Sequence, residues 1–198
     1  MASLEFWYEF GSSYSYPAAM RIDEQAAKSG VEVKWRPFLL GPILAAQGLT
    51  DSPFNLYPAK GRYMVRDLER TCAALDLPFS MPDPFPQNGL YAARLALIGA
   101  DEGWAADFSR AVYLAEFGDG ANIFSKELLG DILSDLGVDA SSCLNEIESP
   151  EAKERLKVQT AKAQDLGIFG APSFIAGGEL YWGNDRLEQA VEHAVRVG

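Results

Sequence analysis

A chain of 198 residues that is 48% hydrophobic and 12% aromatic can bury a sizeable core, which excludes disorder and leaves one domain with an insertion or two small packed ones. A formal net charge of −11 argues against nucleic acid or an anionic membrane surface as partner, although a local pocket can differ in sign from the surface around it. No apolar run reaches the roughly 20 residues of a membrane span, and the N-terminus enters strand without the basic and apolar segments of an export signal, so a cytoplasmic location is expected.

The first element is Leu4 to Ala18, LEFWYEFGSSYSYPA. Leu4, Phe6, Tyr8 and Phe10 fall on one face of a strand at period two, with Glu5, Trp7 and Glu9 on the other. Gly11 ends the strand. Ser12, Ser13 and Ser15 follow, and Pro17 fits a first helical turn, where no backbone N–H is required. A helix N-terminus offers unpaired N–H groups and a positive dipole end, so an anion is well held there. Any reaction is expected at this turn, although from this stretch alone Ser12 and Ser13 also read as plain helix caps.

Tyr16 to Lys28 reads as a helix with Ala19, Ile22 and Ala26 on one stripe. Val31 to Arg36 alternates as a strand, which completes a βαβ unit with a parallel pair. From Pro37 to Pro58 the pattern dissolves into a long loop of the kind that often carries function, with a short helix around Ile43 to Gln47. Ala59 to Leu75 is a helix whose charged side (Arg62, Arg66, Asp67, Glu69, Arg70) reads as a solvated face. Pro78 to Pro86 can be neither helix nor central strand. Four helical patterns follow at 89–102, 104–117, 125–136 and 140–148, and Pro150 opens another to Leu166. Trp104, Tyr113 and Phe117 read as exposed aromatics, compatible with association. Ser173–Ala176 and Glu179–Trp182 form a hairpin around Gly177-Gly178. Asp185 and Glu188 read as a capping box for a last helix with Leu187, Val191, Ala194 and Val195 inward.

A βαβ start and a ββα end with helices spliced between them is an α/β arrangement, the thioredoxin-like fold with a large α-helical insertion. The expected division is 1–40 and 165–198 for the thioredoxin-like domain and 41–164 for the insertion. Cys72 and Cys143 are too far apart for a metal site or a redox pair and read as buried side chains. His193, the single histidine, argues against a His-dependent triad or a multi-His metal site. No metal is expected.

Four segments carry a resemblance: SSYSYPA after the first strand, YPAKGRYMVRDLER (57–70), FGAPSF (169–174) and WGNDRLE (182–188). In this order and spacing they resemble the 2-hydroxychromene-2-carboxylate isomerases and the related kappa-class glutathione transferases, within the DsbA-like branch of the thioredoxin fold. The family carries Ser-Pro-aromatic-Ser where thiol oxidoreductases carry Cys-x-x-Cys. By that alignment Ser12 takes the catalytic position, Ser13 replaces the usual proline and Ser15 stands at the second Cys position. With no cysteine there, disulfide exchange at the turn is excluded.

The resemblance implies that glutathione is the cofactor and that Ser12 contacts its sulfur, with Ser13 as the other candidate. A hydroxyl and a helix N-terminus both favour a thiolate over a thiol of pKa about 8.5. Ser12 would stabilise the thiolate rather than act as nucleophile, and no base in the sequence is placed to deprotonate it. The resemblance further implies a cis bond at Ala171-Pro172, with the Ala171 backbone pairing to the cysteinyl part of glutathione. Gly183, Asn184 and Asp185 would hold the γ-glutamyl end, and Lys60 a carboxylate. The family's Gly-Asn pair before YPAK is replaced here by GLTDSPFN, a stretch two residues longer by that alignment, so Asn55 or Asn88 becomes the candidate for the missing amide.

The implied activity is isomerisation of a conjugated aromatic carboxylate by reversible addition of the glutathione thiolate, within aromatic-compound breakdown, by a homodimer. A kappa-like transferase or peroxidase is the close alternative. A non-catalytic thioredoxin-fold module binding a thiol partner is the distant one.

Overall fold

A computed structural model describes residues 2–49 and 51–198. The N-terminal strand β1 (Ser3–Tyr8) leads into helix α1 (Ser15–Lys28) and strand β2 (Glu32–Pro37). Short helices α2 (Leu40–Ala46) and α3 (Pro53–Leu56) precede the long α4 (Pro58–Ala74). Five helices fill the middle: α5 (Leu90–Glu102), α6 (Ala105–Tyr113), α7 (Lys126–Asp135), α8 (Ala140–Glu146) and α9 (Pro150–Asp165). A π-helical turn, Leu114–Gly118, continues α6. The hairpin β3 (Ser173–Ala176) and β4 (Glu179–Trp182), a 3-10 turn (Asn184–Arg186) and α10 (Leu187–Val197) complete the chain.

The sheet has the order β2-β1-β3-β4. β1 is parallel to β2 and antiparallel to β3, with Phe6 opposite Trp35 on one side and Phe174 on the other. That register stacks Phe6 on Phe174 and sets Trp35 edge-on to Phe6, so three aromatics meet on one face. Leu4, Phe6 and Tyr8 belong with α1, α5, α6 and α10 to one large core. The opposite face is apolar too, because Trp7 packs with Phe38, Ile43, Ala163 and Ile168 in a second cluster. β1 is therefore covered on both sides, which a pattern of alternating inward and outward residues does not anticipate. Gly177 and Gly178 both hold positive φ, as a two-residue hairpin between right-twisted strands requires.

Two expectations fail. Tyr113 and Phe117 are fully buried and Trp104 is half-buried. Glu116 and Phe117 follow the buried Val112 and Tyr113 by four residues and share their inward face where the π turn continues α6, with Phe117 against Tyr16 and Phe85. The exposed aromatics are instead Tyr57, Tyr63, Phe124, Phe169 and Trp182. The capping box is absent as well. Asp185 lies inside the 3-10 turn and pairs with Arg186, while Glu188 pairs with Arg21 of α1. Val195 faces solvent, 48% exposed, leaving Leu187, Val191 and Ala194 as the inward stripe.

Candidate active site

The turn after β1 is compressed around Gly11. A Cβ there would lie 2.8 Å from the Gln87 carbonyl oxygen and 3.2 Å from Glu9 Oε2, so glycine alone fits without displacing both neighbours. Ser12 is held at three points. Its N–H donates to the Glu9 carbonyl at 3.0 Å, its carbonyl accepts from the Ser15 N–H at 3.0 Å, and its hydroxyl donates to the Ala171 carbonyl at 2.9 Å. The last bond ties the first strand's turn to the loop before β3, 159 residues along the chain. The Ala171-Pro172 bond is cis.

The serines differ in access. Ser12 is partly exposed, Ser13 is 2% exposed, and Ser15 is fully buried beside the Tyr113 hydroxyl. None of them caps α1, whose cap residue is Tyr14 without a side-chain bond, so the plain capping role read from the sequence is not made. In the first turn the Ser15 N–H is taken by the Ser12 carbonyl and Pro17 has none, which leaves the Tyr16 N–H without a cap.

A cavity of about 600 Å³ opens from this turn. Glu9, Ser12 and Ser13 form one wall, and Phe54, Lys60 and Met64 stand on another. Phe85, Gln87, Phe169 and Trp182 complete an apolar and aromatic lining. A neighbouring cavity of about 520 Å³ shares Tyr14, Ala171 and Trp182 with it and extends to Asp67, Gly183, Asn184 and Asp185. A third depression, about 680 Å³ between α5 and α9, contains none of the candidate residues.

Most of the residues singled out in the sequence thus converge. Ser12, Ala171 and Lys60 line the first cavity, and Ala171, Gly183, Asn184 and Asp185 line the second. Gly183 is fixed by its N–H donating to the Pro172 carbonyl at 2.9 Å. Asn184 is oriented by Arg21, which donates to its side-chain oxygen at 3.0 Å and its carbonyl at 2.6 Å. The two candidate amides stand apart. Asn55 is exposed and donates to the Asp51 carboxylate at 3.2 Å and the Phe85 carbonyl at 3.4 Å. Asn88 is exposed, and its side-chain oxygen accepts from the Leu90 N–H at 3.0 Å. The amide that borders the cavity is Gln87, 8% exposed and donating to the Pro84 carbonyl at 2.8 Å.

Two carboxylates that the sequence did not single out as site residues border these cavities. Asp67, on α4, accepts from the Tyr14 hydroxyl at 2.9 Å and from Arg70 at 3.1 Å, which fixes it in the second cavity. Glu9 follows the last residue of β1 and borders the first. Burial raises the Glu9 carboxyl to about 7, against the lowering effect of the Gly11 N–H. Behind it Glu116 is fully buried, with neither carboxyl oxygen hydrogen-bonded to any described residue. Burial and the nearby Glu9 push Glu116 well above the usual carboxylate range. Neither cysteine is near. Both are buried, and burial raises the Cys72 thiol to about 11.

The sequence profile of the DSBA-like thioredoxin domain matches residues 3–195. The chain is 27% identical over 186 residues to a 2-hydroxychromene-2-carboxylate isomerase of Sphingobium xenophagum, covering 94% of each chain. It is 24% identical over 200 residues to glutathione S-transferase kappa 1 of Caenorhabditis elegans, covering 96% of this chain and 84% of that one. A solved structure of a 2-hydroxychromene-2-carboxylate isomerase superposes with a TM-score of 0.89 at 26% identity, over 98% of this chain and 95% of the other.

Proposed function

The chain belongs to the DSBA-like thioredoxin domain family, and from that premise we propose that it is a glutathione-dependent isomerase of a conjugated aromatic carboxylate of the hydroxychromene type. The observation that carries this reading is Ser12: a hydroxyl at an uncapped helix start, on the wall of an apolar cavity that no cysteine borders. Such a site is suited to hold a thiolate and supplies none, so the thiol comes with a ligand. The relatives named as 2-hydroxychromene-2-carboxylate isomerases and as kappa transferases support both the ligand and the reaction.

Glutathione would lie across the two cavities. Its cysteinyl backbone follows the strand-like edge at Ala171, and its γ-glutamyl end reaches Gly183 and Asn184, with Asp67 or Asp185 as partner for the α-ammonium. The Ser12 hydroxyl, now donating to the Ala171 carbonyl, turns about χ1 to donate to the sulfur. The thiolate adds to a conjugated double bond of the substrate, which becomes single and rotates. Expulsion of the thiolate re-forms the double bond and regenerates glutathione. The aromatic lining of Phe54, Phe85 and Trp182 suits a flat ring, and Lys60 a carboxylate. Replacing Lys60 with methionine is expected to raise KM for the aromatic acid about fivefold while leaving glutathione affinity unchanged, because an exposed cation contributes modestly to binding. A matched pair of substrate-saturation and glutathione-saturation curves checks this.

A transferase would use the same thiolate but retain it in the product, and the kappa relatives keep that reading open. Glutathione consumed in step with product favours it, whereas glutathione recovered intact favours isomerisation. The test of the site itself is calorimetric titration with glutathione and S-methylglutathione. Binding that weakens when the sulfur is capped supports a thiolate site. Absence of binding by both at millimolar concentration would sink it.

A further inference from the structure

The carboxyl three residues before Ser12 has no part in the reading above, yet it is built into the same turn. The Glu9 carbonyl accepts both the Ser12 N–H at 3.0 Å and the Tyr113 hydroxyl at 2.9 Å, which fixes the residue's backbone beneath Ser12. Its side chain folds back over Gly11, whose N–H bonds to the carboxyl. From there it borders the cavity that Ser12 faces. Its neighbours are Glu116 from the π turn, Tyr8 from β1 and Tyr113 from α6, with Lys60 and Asp51 on other walls of the cavity.

Two carboxyls in one buried neighbourhood do not ionise together. Glu116 is the more enclosed and keeps its proton, so Glu9 is the one that titrates, and it does so near neutrality. That suits a group that must both accept and return a proton.

We propose that Glu9 is the acid–base group of this site, taking the proton of the bound thiol and lending it to the substrate during addition. The proposal rests on the glutathione reading above. In the first step the S–H bond breaks, a Glu9 O–H bond forms and the electron pair stays on sulfur. As sulfur bonds to carbon, the pair of the conjugated double bond moves to the conjugated carbonyl oxygen, which takes the proton from Glu9 as an enol. After rotation Glu9 recovers that proton, the carbon–carbon double bond re-forms and the C–S bond breaks with its pair on sulfur. No proton or electron is gained or lost overall.

The test counts protons. Glutathione is titrated calorimetrically at pH 8 in buffers of different ionisation enthalpy, into the wild type and Glu9→Gln. In the wild type the thiolate beside it lifts the Glu9 carboxyl further, so the pair keeps one proton between them at pH 8 and net release is expected near zero. In Glu9→Gln the thiol proton leaves to buffer, about three quarters of a proton per glutathione for a free thiol of pKa about 8.5. The variant is also expected to lose about a hundredfold in kcat and the limb of the pH profile that rises through about 7. Should Glu9→Gln not fold, Glu9→Asp keeps the carboxyl and is expected to restore the proton balance. Equal proton release by wild type and Glu9→Gln, both binding glutathione, would overturn the role of Glu9 and leave the glutathione site standing. A wild type that binds no glutathione would overturn both.

Discussion

Replacing Ser12 with alanine is expected to lower kcat by about 10²–10³ while weakening glutathione binding less than about tenfold. The asymmetry follows from what the hydroxyl does. A donor aimed at a developing or fixed anion in a water-poor site has an effect of that size on the rate. In the glutathione reading proposed above, the tripeptide's affinity is instead spread over the backbone at Ala171 and the segment 183–185. In the resting protein the same hydroxyl satisfies the Ala171 carbonyl, so alanine also removes one partly exposed hydrogen bond, a cost of about 1 kcal/mol. A thermal melt therefore accompanies the kinetics to show that the variant is folded. Retention of kcat within about threefold would remove Ser12 from the chemistry and reduce the turn to a scaffold.

Replacing Glu116 with glutamine is expected to raise Tm at pH 8 by several degrees and to leave it nearly unchanged at pH 5. In the folded protein the Glu116 carboxyl holds its proton far above the ordinary value of 4.5, whereas in the unfolded chain it releases it there. The fold consequently loses up to about 1.4 kcal/mol for each pH unit between those two values. Its contribution is complete below about pH 4.5 and fades as pH rises through the folded value. Glu9 acts with the same sign between 4.5 and about 7. Glutamine matches the carboxyl in shape and carries no such proton, so the alkaline loss due to Glu116 disappears. About 1 kcal/mol moves Tm by roughly 2–4 °C in a domain of this size. Melts of both proteins at pH 5, 6.5 and 8 decide it, and an equal shift at all three would sink the linkage.

Much of this architecture is written in local pattern. The strands, the hairpin glycines and the helix of 16 residues opened by Pro150 follow from period and punctuation, and the structure places them within a residue or two. What escaped is what local pattern does not encode. Glu9 continued the alternation of β1 on paper, but the strand stops at Tyr8 and the turn carries Glu9 into the cavity. Asp67 sits among charges on α4 and is distinguished only by Tyr14, brought to it from 53 residues away. Tyr113 and Phe117 lie four residues apart on one helix face, but the period alone does not say whether that face turns to the core or to solvent, and here it turns to the core together with Glu116. The amide beside the cavity proved to be Gln87, one residue from a named candidate, because a backbone stretch without regular structure has no face to count from.

The order of the strands has a consequence for synthesis. β1 is made first and ends up second in the sheet, flanked by β2 and by β3. Its partner β2 emerges about 25 residues later, but β3 is not translated until about 165 residues have followed Tyr8. At roughly 5–20 residues per second the nascent chain therefore carries an open, strongly apolar strand edge for about ten to thirty seconds. During that interval the carbonyl that Ser12 will meet at Ala171 does not exist, and the turn has no mate. Translation must pass β3 before β1 can close its second edge, so the turn that carries Ser12 waits for its mate while about 160 residues are made.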